Sequence, residues 1–466
     1  MSTAGKPYFI ILSCGLIFAY IATRCVMVDI THDEAYSFRV MKHFWYAEAL
    51  CTANTHWLNS LAMKAAIISG WERNWQLRWF SMLSALLFLF AGGRWIMSIK
   101  SVHLKIFAFV LLLLNPYLTD YMGLARGYAS GIMLETAALL LLFNSLNQMQ
   151  DKMGRLGLLC AALSCIANYS FVYFFAGYAA VYFWQAYFKN GKPGWRKGWF
   201  YVDILISFGV LIFIFRALVF ITRCSNDIVG AGTGSITEVA RAFIGSLIYH
   251  YADMPTYCLV AVTIVLGAGV LIICATGLGT RAKDGNSEYF CSSRILSITL
   301  LLIIGSHILP GAVYPYARSA LFLFPLLCMN TVYFAARMKI NKYILTLASL
   351  MLAINFVSAF NLSHTLDFKA QEDTKEAFDR IDAMQIKSVF LGRGTYGVYI
   401  NYYEQTDKLK YSFHGLFADS LLCGQATAYA LLTEANAFRI PPCYRSDTLY
   451  GSRSGNLTLV RLQKID

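Results

Sequence analysis

Residues 8–38 read YFIILSCGLIFAYIATRCVMVDITHDEAYSF, a long apolar run that leads straight into paired acids. A helix needs roughly 20 apolar residues to cross ~30 Å of hydrocarbon, and residues 8–27 meet that length. The run carries Arg24, lacks a small-residue cleavage site and is followed by further apolar runs, so it reads as a membrane span rather than a removable signal. Outward from it, comparable runs occupy 77–96, 106–118, 128–146, 156–167, 172–188, 202–221, 257–278, 295–309, 320–333 and 343–360, about eleven spans in all. The fifth is short and reads equally as a half-helix paired with the sixth.

Composition supports the same fold class. Of 466 residues, 58% are apolar and only 14% charged, and the mean hydropathy is +0.52. Soluble domains carry about a quarter charged residues, so these values exclude an ordinary soluble enzyme, a disordered chain and a nucleic-acid-binding module. The net charge of +13 arises from 39 basic and 26 acidic residues. It all lies before residue 361, because the tail is balanced. In a polytopic chain such charge sets topology: Lys100, Lys105, Lys152, Arg155, Arg337, Lys339 and Lys342 share one side, which is the cytoplasm. Arg126 and Arg318 are the two basic residues in the opposite short loops. An odd number of spans puts the N-terminus in the cytoplasm and the tail outside.

The expectation is therefore an all-α polytopic domain over 1–360 and a small extracytoplasmic α/β domain over 361–466. Within the tail, 388–391 and 457–460 suit strands, while 373–386 and 426–437 suit helices. The 12 cysteines sit mostly inside spans, where small buried apolar residues are the plain reading. Cys423 and Cys443 are the exterior domain's pair, and an oxidising compartment allows them to bridge.

Asp33 and Glu34 follow the first span at once. Carboxylates beside hydrocarbon are expensive to desolvate and mark functional sites. Residue chemistry alone leaves an equal alternative, a solvated helix N-terminus with both acids set against the dipole. Glu135, inside the fourth span, reads as an ion-pair partner for a neighbouring Arg or as a proton-relay group. Tyr249, His250 and Asp253 form a polar cluster, and His307 sits late in the ninth span.

The acidic pair in THDEAYSF, the loop returning to the membrane and Arg126 with Tyr128 in LARGYASG together resemble the GT-C superfamily of membrane glycosyltransferases. A further match is Arg318-Ser319-Ala320-Leu321 through Pro325. Within that superfamily the chain is most similar to family 39, which includes protein O-mannosyltransferases and the lipid A aminoarabinose transferase. The pattern departs at 54–59, Asn-Thr-His-Trp-Leu-Asn, where many relatives have His or Lys before a Pro-Pro pair.

The resemblance implies transfer of a sugar from a polyprenyl-phosphate donor to a lipid, glycan or protein acceptor. The setting is the outer face of what is then a bacterial inner membrane, among membrane lipids, with the tail periplasmic. An attacking acceptor must lose a proton, a role for Asp33 as base with Glu34 positioning. The departing phosphate needs fixed cations, a role for Arg126 and Arg318, whose guanidinium forks hold two oxygens at once. Interfacial snorkelling is the plain alternative for both arginines. His56, Asn59 and Tyr128 join the substrate-binding set, and Tyr169, Tyr173, Tyr314 and Tyr316 are candidates for a sugar pocket. One base and one displacement imply inversion. No cofactor is expected, and the reading without a metal is preferred over Mg²⁺ or Mn²⁺ ligated by the acidic pair. The rival class is a transporter or lipid-linked-sugar flippase, with Glu135, Arg216 and His307 lining a path near the midplane. A non-catalytic scaffold would leave the acidic pair unexplained.

Overall fold

The computed structural model describes residues 8–43, 46–148, 151–188, 198–224, 232–233, 235–249, 256–279, 287–309, 312–406, 412–414, 426–433, 440–453, 455 and 457–465. Helices Tyr8–Met27, Trp79–Ser98, Gly127–Gln148, Asp151–Ala167, Gly198–Cys224, Thr256–Gly279, Ser287–Ile308, Leu323–Arg337 and Lys342–Ser358 each lie on an expected span. The sixth span is helix Val172–Phe183 continued by a π turn over Trp184–Phe188. Among the described residues 6 helices are long and apolar enough to cross a membrane, or 7 if one bent pair counts as a span. The chain is a polytopic α-helical membrane protein with a C-terminal α/β domain.

The packing follows helical periodicity. On Gly198–Cys224, Asp203, Ser207, Val210, Ile214, Ala217 and Ile221 are buried at steps of three or four. Leu205, Phe208, Ile212 and Phe215 on the same helix stay exposed, as a lipid-facing surface requires. The bent pair, Val102–Leu113 and Pro116–Met122, turns by 52°. Its cause is local: the Asn115 side chain accepts from Leu118 N–H at 2.8 Å, and Pro116 begins the second piece.

The chain forms two compact units that do not follow chain order. One comprises Met1–Ile21, Ala47–Asn59 and Phe80–Phe360; the other comprises Ala22–Tyr46, Ser60–Trp79 and Asn361–Asp466. The expected border after residue 360 is thus one of several. The segment carrying Asp33 and Glu34 belongs with the tail.

In the first unit, strands β1 (Gly232–Thr233) and β2 (Tyr314–Pro315) pair antiparallel. A disulfide joins Cys51 to Cys224, with Cα atoms 5.2 Å apart across 173 residues of sequence. Neither cysteine stands out by sequence, since each lies close to an apolar segment.

In the second unit, β3 (Ser388–Leu391), β4 (Ser412–His414), β5 (Thr427–Thr433), β6 (Tyr444–Gly451) and β7 (Leu457–Lys464) form a sheet of order β4-β3-β5-β7-β6. β3 is parallel to β4 and β5, whereas β7 is antiparallel to β5 and β6. Of residues 426–437, expected to be helical, 427–433 instead form β5, and 434–437 lie outside the described residues. Ala and Leu favour helix in isolation, but here Leu431 pairs with both Leu391 and Leu459, and sheet pairing on both sides overrides that weak preference. Ala428, Ala430 and Leu432 then point to one apolar cluster with Phe390, Tyr444, Val460 and Leu462. The expected helix over 373–386 is present as Thr374–Ala383. Cys443 is disulfide-bonded, and Cys423 lies outside the described residues.

Candidate functional site

In the second unit, the helix His32–His43 starts with a reciprocal cap. Glu34 N–H donates to Thr31 Oγ1 at 3.3 Å, and Thr31 N–H donates to Glu34 Oε2 at 2.9 Å. This is a capping box, written in the sequence as Thr-x-x-Glu. Arg78 completes it with a two-pronged contact, Nε to Oε1 at 2.8 Å and Nη2 to Oε2 at 2.7 Å. Its remaining N–H groups donate to the carbonyls of Cys25, Val28 and Asp29 at 3.1, 2.7 and 2.9 Å. The same guanidinium therefore closes the C-terminal end of the first span, whose last carbonyls lack helical partners. Arg78 and Glu34 are sealed, with side chains 1% and 0% exposed.

Asp33 is in a different position. Its side chain is 12% exposed, and His32 Nδ1 lies 3.7 Å from Asp33 Oδ1. Two adjacent carboxylates are thus set apart: Glu34 is sealed in an ion pair with Arg78, and Asp33, also buried, keeps a small exposed fraction. In the first turn, Asp33 also faces the positive end of the helix dipole. Asp29, just upstream, is pushed up to about 6, chiefly by burial and further by Asp373, against the backbone N–H of Lys375 that it accepts.

The first unit gathers the basic and aromatic candidates. Arg126 Nη2 donates to Asn54 Oδ1 at 2.6 Å, and Nη1 to the Asn54 carbonyl at 3.4 Å. The helix Gly127–Gln148 begins directly after it. Gly127 is required there, because a Cβ would stand 1.8 Å from the Ala167 carbonyl oxygen and 2.7 Å from His56 Cβ. The His56 and Tyr128 rings lie 5.2 Å apart, and Tyr128 meets Tyr121 edge-on at 4.8 Å. Trp57 Nε1 donates to Tyr169 Oη at 2.5 Å. Arg126, His56, Tyr128 and Tyr169 therefore converge on one locality. Asn59 turns elsewhere, accepting from Ser81 Oγ at 3.2 Å. Arg318 is half-buried in a 3₁₀ turn, Ala317–Ala320, on another element.

Two groups escaped the sequence reading. Asp120 is buried and accepts from Tyr249 Oη at 2.7 Å. Its signal was an acid in an apolar run just past an Asn-Pro break. Arg78 was the other, a charge at the mouth of an apolar span. Of the expected cluster of Tyr249, His250 and Asp253, the last two lie outside the described residues, and Tyr249 instead donates to Asp120. Tyr173 shares a hydrogen bond with Ser306 at 3.0 Å, His307 stacks on Tyr314 at 4.0 Å, and Tyr316 is exposed.

Glu135 is fully buried, and neither carboxyl oxygen has a hydrogen-bond partner among the described residues. Arg216 is exposed. A lined path through Glu135, Arg216 and His307 would need Arg216 turned inward.

No family model matches the chain, and no curated protein matches it. Among solved structures, the chain is similar to ArnT from Cupriavidus metallidurans in the apo state, at 10% identity and a TM-score of 0.48, covering 99% of this chain and 98% of that one. It is likewise similar to the same organism's ArnT bound to undecaprenyl phosphate, at 9% identity and a TM-score of 0.45, with the same coverage.

Proposed function

We propose that the chain is an inverting membrane glycosyltransferase that moves a sugar from a polyprenyl phosphate to an acceptor hydroxyl or amine of a glycolipid, glycan or protein. The observation that carries this reading is the first turn of helix His32–His43, where Arg78 and Thr31 occupy Glu34 and leave the roles of the two acids distinct. Asp33 removes the acceptor's proton as the acceptor attacks the anomeric carbon, so charge does not build up on the incoming atom. Glu34 holds the turn that presents Asp33. A divalent ion ligated by both acids would have to displace Arg78 from a sealed, two-pronged pair, so the proton route is preferred to metal activation.

Charge collects on the departing phosphate, and a guanidinium is suited to it in a poorly hydrated site. Arg126 takes that role with Arg318. Asn54 orients Arg126 through its amide oxygen and its carbonyl. His56, Tyr128 and Tyr169 offer polar edges and ring faces of the kind that sugars meet.

The outer face of the membrane, periplasmic in a bacterial inner membrane, is the proposed site of reaction. The Cys51–Cys224 bond supports this, because both cysteines occur at loops expected outside and disulfides persist in oxidising compartments. The test is to incubate the purified protein in lipid with a panel of polyprenyl-phosphate sugars and extracted membrane acceptors. Release of polyprenyl phosphate that depends on acceptor supports the reading; donor left intact with every acceptor overturns it.

A further inference from the structure

Within the second unit, the segment that carries Asp33 is fastened to the C-terminal domain by contacts hundreds of residues apart in sequence. Two of them are reciprocal helix caps. His32 N–H, an otherwise unpaired donor of the first helical turn, donates to Gln371 Oε1 at 2.6 Å. In return, Asp29 Oδ2 accepts the N–H of Lys375 at 3.0 Å, in the first turn of tail helix Thr374–Ala383. Each partner thus satisfies a backbone group that the other's own sequence leaves open, so neither helix start is complete alone.

The remaining contacts extend the same interlock. Arg24 donates to the carbonyls of Asn361 and His364 at 2.8 and 2.7 Å. Arg39 reaches Asn401 Oδ1 at 3.0 Å, and the Phe38 and Tyr402 rings meet edge-on at 5.2 Å. Beside the carboxylate, the His32 ring lies against Gly397, where a Cβ would come within 2.4 Å of His32 Cδ2 and Nε2. Gly397 therefore makes room for the imidazole that flanks Asp33.

We propose that the C-terminal domain is a positioning module for Asp33, acting through Gln371, which caps the helix that carries it, and Gly397, which seats its neighbour His32. This rests on the glycosyltransferase reading for its kinetic consequence, but not for its structural one. Misplacing a catalytic group by about 1 Å costs up to roughly 10²-fold in rate without weakening substrate binding to match. Gln371 and Gly397 are therefore kcat residues rather than donor-binding residues.

The test uses the full chain in lipid with three variants. Gln371→Leu removes the acceptor, Gln371→Glu keeps it, and Gly397→Ala pushes only a side-chain tip and so leaves the fold intact. Amide exchange over residues 32–36 should quicken roughly five-fold in Gln371→Leu, the loss expected of one cap, and stay near wild type in Gln371→Glu. With the best donor, Gln371→Leu and Gly397→Ala should lower kcat by roughly ten-fold or more at unchanged donor KM, and Gln371→Glu should restore it. Unchanged exchange in Gln371→Leu overturns the proposal, as does wild-type kcat in both Gln371→Leu and Gly397→Ala. If the wild-type protein transfers no sugar, the glycosyltransferase reading falls, and the exchange experiment still decides whether the tail holds the Asp33 helix.

Discussion

The turn at Asp33–Glu34 and the segment around Arg126 are both buried and polar, but they are built from different contacts. Around Glu34 every donor of Arg78 is used, and acid and base cancel inside a sealed pair. Around Arg126 the contacts include an amide oxygen and a carbonyl of Asn54, which direct the guanidinium. The difference separates bracing from orienting: an ion pair sealed within the fold stabilises structure, and a neutral amide fixes where a guanidinium points.

The largest effect should come from breaking the brace. Arg78→Met removes one partner of a buried ion pair, a change that typically costs about 3–5 kcal/mol. A thermal melt in lipid should show a large drop, and adding Glu34→Gln should recover most of it. If Arg78→Met melts like wild type, the pair is not a brace.

Next is Asp33→Asn, which keeps the shape and removes the proton acceptor. Transfer should fall by on the order of 10² or more, with folding and donor binding retained. Wild-type turnover would remove Asp33 from the chemistry.

Arg126→Lys is expected to be milder. A point charge cannot copy a fork, so donor affinity should fall roughly ten-fold, and further in Arg126→Ala. The same pair of changes at Arg318 sharpens the contrast. Full activity of both Lys variants would return these arginines to the role of interfacial anchors.

The smallest effect is a pH slope. Asp29 sits near 6 in the folded protein, raised first by burial, against about 3.9 in an unfolded chain. The folded state then holds more protons between those values. Stability from Asp29 is full below about pH 4 and declines as pH rises through about 6. Melting of wild type and Asp29→Asn between pH 4 and 7 should show a slope in the first and a flatter line in the second.

The spans were legible because twenty-odd apolar residues have few alternatives, and every expected span is helical. Asp33 and Arg126 stood out as candidates for a related reason: charge at the edge of such a run is costly. What the local pattern could not contain were partners distant in sequence. Arg78 closes on Glu34 from 44 residues away, and Cys51 finds Cys224 across 173. Nothing near Asp120 announces Tyr249. Strand β5 misled for the same cause, since its Ala-Leu composition favours helix until β3 and β7 flank it. The different surroundings of Asp33 and Glu34 were also hidden, because adjacent identical charges differ only in what the fold brings to them.

The most direct test of the central claim is the configuration of the transferred sugar. A polyprenyl-phosphate sugar of defined anomeric configuration is given to the purified protein with an acceptor, and the product's anomeric centre is read by NMR. Transfer by single displacement, with Asp33 as base, requires a product inverted relative to the donor. A product of retained configuration, or a donor consumed with no sugar on any acceptor, would contradict it.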